Sequence, residues 1–196
     1  FDNASLERWL RRNLERMRIP NEFRGFSRKR GCDLYVTACD LDTAERETFG
    51  PDERNDITIS EAVQASTALP LFYKPARIKG VDYVDGGVRR TANIDLAIEK
   101  GCDLIICYNP FRPFLNRIDA EGGDTPYFAN GRYLADRGMK MVLNQVFRTL
   151  LHSRLKLGLQ RYLTDDRFQG DILLLEPRER DTEFFNVNPL AFWKRQ

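Results

Sequence analysis

Between residues 58 and 109 helix and strand signals alternate so closely that a layered α/β arrangement is the architecture they call for. Thr58-Ile59-Ser60-Glu61 is a capping-box pattern, with threonine at the cap and glutamate three residues on. It starts a helix predicted over Ile59–Ala68, built of small residues (Ala62, Ala65, Ser66, Ala68) and therefore suited to very close packing, and Leu69-Pro70 ends it. Arg77–Ile78 and Val81–Val84 flank Lys79-Gly80 as a hairpin, and Asp85-Gly86-Gly87 follows at once. Ile94–Lys100 reads as a short helix with Gly101 as its terminating residue, and Leu104–Tyr108 as a buried apolar strand stopped by Asn109-Pro110.

The flanks are simpler. Residues 4–18 carry Leu6, Trp9, Leu10, Leu14 and Met17 at helical spacing with arginines opposite, and Pro20 ends the pattern. Leu34–Ala38 and Arg46–Phe49 read as strands around the turn Asp40-Leu41-Asp42-Thr43. Residues 111–130 read as loop, and 132–163 as a long amphipathic helix with Gly138 and Gly158 as candidate breaks. Its apolar face is expected at Leu134, Met141, Val142, Val146, Leu150, Leu155, Leu159 and Tyr162. Ile172–Leu175 is a last strand, and 183–196 is an aromatic tail.

Thirty-one basic against 29 acidic residues give no whole-chain pull toward nucleic acid. The first thirty residues are different, with nine Arg or Lys against four acids. With its aromatic neighbours the 4–18 helix has two readings, contact with an anionic lipid surface or core packing beneath a solvated charged face, and the pattern favours the second. The same pair of readings holds for 132–163. No apolar run approaches the roughly 20 residues that span a bilayer. The four cysteines (Cys32, Cys39, Cys102, Cys107) form no C-x-x-C, which favours reduced thiols over a disulfide framework or zinc site. A cytoplasmic location is the matching expectation, with peripheral membrane contact as the alternative that the first reading of these helices leaves open. The single histidine, His152, lies in a basic helical stretch and reads as a solvated residue.

Taken alone, Asp85-Gly86 is an ordinary turn signal. The ordered run is more specific. Ala65-Ser66-Thr67-Ala68-Leu69-Pro70, the apolar Leu71-Phe72-Tyr73 with Pro75, Asp85-Gly86-Gly87, Asn93 and Gly101-Cys102-Asp103-Leu104 resemble the second half of the patatin-like phospholipase domain, over residues 33–109. One departure is that Asn93-Ile94 is followed by Asp95 where the family often has proline, which bears on the local helix start.

The resemblance implies a partial, layered patatin-like α/β domain over residues 1–110, with 111–196 as a helical extension packed on it. It implies a lipid acyl hydrolase working through a Ser-Asp dyad, with no cofactor, on a glycerolipid or lysophospholipid. Asp85 matches the family's base, and Gly86 and Gly87 its adjoining motif. The family's serine sits in a G-x-S-x-G elbow, and none of Ser5, Ser27, Ser60, Ser66 or Ser153 stands between glycines. The chain, opening on Phe1 without a Met, therefore reads as the C-terminal part of a longer protein whose absent N-terminal segment carries the nucleophile. A base so placed should sit at a strand end, its carboxylate open rather than bonded only to its own turn. Sheet faces near Leu34–Ala38 and Leu104–Cys107 should then stand bare. The rival reading is a catalytically inactive lipid- or protein-binding module of the same fold, in which Asp85-Gly86-Gly87 is only a turn.

Overall fold

A computed structural model describes residues 2–70, 72–90, 92–116, 133–163 and 168–178. The fold is mixed α/β, and the chain divides into two compact units, Phe1–Arg90 and Thr91–Gln196.

In the first unit, helix α1 (Ala4–Arg16) is followed by α2 (Phe23–Arg30), strands β1 (Val36–Asp40) and β2 (Arg46–Phe49), helix α3 (Ile59–Ser66), and strands β3 (Ala76–Ile78) and β4 (Val81–Asp85). The strands form one antiparallel sheet in the order β2-β1-β4-β3, with Val36 opposite Phe49, Ala38 opposite Asp85 and Ala76 opposite Tyr83. The capping box at α3 forms as its sequence predicts: the Thr58 hydroxyl accepts from the Glu61 N–H at 3.3 Å, and Glu61 reaches back to the Thr58 N–H at 2.7 Å. The helix stops at Ser66, two residues earlier than expected, but Ala68 beyond it is still fully buried.

Small residues on α3 decide the packing of this unit. Ala62 and Ala65 are 0 % exposed, so the helix backbone lies directly against the sheet. The space is filled by Phe23, Phe49 and Tyr83, the last two meeting edge to face at 5.8 Å and 76°. Arg54 closes this corner: its guanidinium donates to the Tyr83 hydroxyl at 2.7 Å and lies over the Phe49 ring, with the centroid 5.7 Å away. Helix α2 is absent from the sequence reading. Its N-terminus has no side-chain cap and five of its eight residues are polar or charged, which hides it. Its signals are the buried Phe23, the half-buried Phe26 three residues on, and Gly31 in the left-handed region at φ 68°.

In the second unit, helix α4 (Ile94–Glu99), strand β5 (Leu104–Tyr108), helix α5 (Met139–Leu163) and strand β6 (Asp171–Leu175) appear in order, and β5 and β6 pair in parallel. Gly138, at φ 86°, separates α5 from a 3-10 turn at Leu134–Arg137, while the helix runs unbroken through Gly158. The buried line on α5 is Arg148, Leu151 and Leu155, while Val146 and Leu150, both expected inside, are exposed. Apolar residues occur nearly all round this helix, so periodicity could not select the inner face. Arg148 is buried because its guanidinium donates to the carbonyls of Pro110 and Arg112 at 2.9 and 3.2 Å. The aromatic tail 183–196 and most of the 111–130 loop lie outside the described residues.

Strand β5 corrects a further expectation. Ile105 and Cys107 are buried with Leu155 and Ile94, but Leu104, Ile106 and Tyr108 are 59, 60 and 59 % exposed. Successive strand side chains point to opposite faces, and one face of this pair is left outside the core. The bare sheet face expected at both Leu104–Cys107 and Leu34–Ala38 is thus found at the first and not at the second, where Thr37, Ala38 and Cys39 are buried and Ala38 packs with Ala62 and Ala65 of α3. Among the described residues no helix is long and apolar enough to cross a membrane.

Candidate functional site

The motif residues sit where two strands and α3 converge. Asp85 is the last residue of β4, opposite Ala38 of β1, and its N–H donates to the Ala68 carbonyl just past α3 at 3.1 Å. The chain then turns through a single 3-10 turn, Gly86–Val88, so Asp85 stands at a strand end as its sequence context predicts. The strand end, the small-residue helix and the glycine turn are thus one unit, within the first of the two compact units.

Gly86 is demanded by close approach. A Cβ built on it would lie 2.6 Å from the Thr37 hydroxyl and 2.7 Å from the Thr37 carbonyl oxygen, contacts that no side chain can hold. The absence of a side chain lets β1 and the turn touch, which sets where Asp85 ends up.

The carboxylate is held by one oxygen. Oδ1 accepts from the Gly87 N–H at 2.7 Å, and among the described residues Oδ2 accepts no hydrogen bond. This departs from an open carboxylate: the one hydrogen bond it makes is to its own turn, because an aspartate heading a 3-10 turn is placed to cap it. The residue is half-buried. Burial pushes the carboxyl above its ordinary value, and the Gly87 N–H draws it part of the way back. The arrangement can hold one oxygen fixed while the other remains able to take a proton.

Among the serines, Ser60 is placed for structure. Ser60 is fully buried, donating to Glu7 Oε1 at 3.0 Å and accepting from Asn21 Nδ2 at 2.8 Å, which ties α1 and the chain before α2 to the start of α3. Ser66 is half-buried in the last turn of α3. His152 is not the solvated residue expected. It lies in the second unit with Nδ1 3.0 Å from Glu176 Oε1, an oxygen that also accepts from Asn109 Nδ2 at 2.7 Å. Asn93 sits in the left-handed region at φ 46° and α4 starts cleanly at Ile94, so the missing proline does not displace the helix. Left-handed geometry is tolerated by asparagine. Ala92 before it, also left-handed at φ 68°, is a strained residue that composition did not reveal.

Fold and motif converge with comparison to known families: a sequence profile of the patatin-like phospholipase family matches residues 1–98. The match begins earlier than residue 33, taking in both arginine-rich helices, and ends within α4. It covers half of the 196 residues, and the chain belongs to the patatin-like phospholipase family.

Proposed function

We propose that Asp85 is the general base of a Ser-Asp dyad that hydrolyses an acyl ester of a glycerolipid or lysophospholipid. The family is one of lipid acyl hydrolases, and the dyad is the finer reading that the site supports. The observation that carries it is the half-satisfied carboxylate: Oδ1 is fixed by the Gly87 N–H, Oδ2 takes no bond among the described residues, and burial raises the carboxyl's proton affinity. A base needs a fixed orientation, a free lone pair and a pKa nearer the working pH than an ordinary aspartate has.

In this mechanism a serine Oγ attacks the acyl carbonyl while its proton passes to Asp85 Oδ2. The tetrahedral intermediate collapses, the leaving alcohol takes the proton from Asp85, and an acyl-serine remains. Water attacks the acyl-enzyme, losing a proton to Asp85, and as the fatty acid departs Asp85 returns that proton to the serine Oγ. No cofactor enters. The five serines of this sequence are outside a G-x-S-x-G setting, so the nucleophile is proposed to come from a segment of the parent protein beyond these 196 residues.

Two measurements test the reading. The 196-residue chain should not be labelled by a fluorophosphonate probe, and labelling of any of its serines would overturn the placement of the nucleophile. In the parent protein Asp85→Asn should abolish hydrolysis of a short-chain nitrophenyl ester while the fold survives. The rival reading, an inactive module in which Asp85 only caps its turn, draws on the Gly87 bond, and near-normal turnover by the Asn variant would favour it.

A further inference from the structure

Helix α1 turns one side to α3 and the other to solvent. Its inner side is held largely by polar bonds: Asn3 Nδ2 donates to the Gln64 carbonyl at 2.7 Å, and Glu7 accepts from Ser60 at 3.0 Å, with Leu14 against the core. No residue of the helix is fully buried. On its outer side Trp9, Arg12 and Arg16 fall within roughly 60° of arc. Trp9 is 40 % exposed, and Met17, at the end of the helix, is 61 % exposed.

The second basic run joins the first. The Lys29 ammonium donates to the Arg18 carbonyl, which brings the last turn of α2, with Arg28, Lys29 and Arg30, beside the end of α1. Among the described residues no carboxylate pairs with Arg12, Arg16, Arg18 or Arg30. Of the acids nearby, Glu7 is taken by Arg11 and Ser60 and Glu22 reaches Arg28 at 4.0 Å, while Glu15, exposed on α1, offsets one charge, so the cations of the two helices still outnumber the acids among them. The two helices therefore expose an excess of cations together with a tryptophan and a methionine.

We propose that this α1–α2 surface docks the protein onto an anionic lipid bilayer, the arginines meeting the headgroup phosphates while Trp9 and Met17 enter the interfacial layer. Charge complementarity selects an anionic partner, and the exposed apolar pair favours a bilayer over a nucleic-acid duplex, whose phosphates would take the arginines and leave Trp9 and Met17 in water. Tryptophan suits this place because its ring is apolar and its N–H polar. The inference rests on the α1–α2 residues and not on the dyad, so it is tested by binding without turnover.

A Trp193→Phe background leaves Trp9 as the one tryptophan, since the sequence has two. This protein is titrated with vesicles of phosphatidylcholine alone and of phosphatidylcholine mixed with phosphatidylglycerol. The mixed vesicles should blue-shift Trp9 fluorescence and shield it from an aqueous quencher, with binding that weakens as salt rises, while the neutral vesicles should leave it unchanged. Arg12→Glu, Arg16→Glu and Arg18→Glu together should lower affinity about 100-fold, several-fold per side chain near an anionic surface. If circular dichroism shows that this variant is unfolded, Arg12→Gln with Arg16→Gln replaces it, with about a 10-fold loss expected. Lys156→Glu, a single charge reversal on the exposed side of α5, should leave binding intact where each single reversal among Arg12, Arg16 and Arg18 weakens it. Equal binding to both vesicles, no response of Trp9, an equal loss from Lys156→Glu, or preference for a duplex oligonucleotide over the vesicles would each overturn the proposal.

Discussion

The two units handle the same kind of strand in opposite ways. In Phe1–Arg90 the central strand β1 is flanked on both edges and packed beneath α3, and its middle residues Thr37, Ala38 and Cys39 are all buried. In Thr91–Gln196 the more apolar β5 buries alternate residues only, while Leu104, Ile106 and Tyr108, with Leu173 and Leu175 of β6, face outward. Burial thus follows what packs on a strand more closely than the strand's own hydropathy. The family match, over residues 1–98, takes in the whole of the closed unit and stops before the half-covered strand.

The largest effect that can sharpen this comparison is at the motif. Asp85→Asn in the parent protein should reduce ester hydrolysis about 10²–10⁴-fold, the range of general-base catalysis. The fold should be unchanged, since the amide oxygen can still accept from Gly87.

Stability should separate the units next. Phe49→Ala, at a fully buried ring between Tyr83 and the Arg54 guanidinium, is expected to cost about 3–5 kcal/mol in urea unfolding. Leu104→Thr should stay within about 0.5 kcal/mol, because the side chain it shortens is already in water. A loss at Leu104 comparable with that at Phe49 would break the contrast and show that the outer face of β5 is covered in solution.

A smaller loss is expected from Gly86→Ala, about 1–3 kcal/mol, the usual range for overpacking. The clash is with the Thr37 backbone carbonyl as well as its hydroxyl, so β1 and the turn must part. Asp85 should move with them, and turnover should fall by more than the stability change explains.

The least effect is on pH dependence. The folded-state pKa of Asp85 is raised, so its contribution to stability is present below the ordinary aspartate value and lost as pH rises through the raised one. Asp85→Asn removes that loss, and thermal unfolding at neutral pH should show the variant at least as stable as the parent. For the same reason the acid limb of the rate profile should lie above the ordinary carboxylate range, since only ionised Asp85 can accept a proton. An acid limb at an ordinary aspartate pKa would show that burial of this carboxyl is relieved in the working protein.

Much of the chain was legible because its signals are local. The capping box of α3, the β3–β4 hairpin around Lys79-Gly80, and the ends of α1, α4 and β2 follow from neighbouring residues alone, and they appear within two residues of where the sequence puts them. Helix α2 was missed because it lacks a capping side chain and is held by Phe23 reaching a core assembled from distant elements. The inner face of α5 was misassigned at Val146 and Leu150 because a helix apolar on several sides carries no unique stripe.

The sequence by itself determined the family, the alternation of helix and strand, and the identity of the motif aspartate, all of which depend on residue order along the chain. Tertiary structure alone decided which face of each strand is covered, that His152 meets Glu176, that Gly86 must clear the Thr37 backbone, and that Asp85 Oδ1 is bound by the Gly87 N–H. The physical reason is range. Capping, turn geometry and propensity act within a few residues, whereas burial and the proton affinity of a carboxyl depend on atoms brought together from far along the chain.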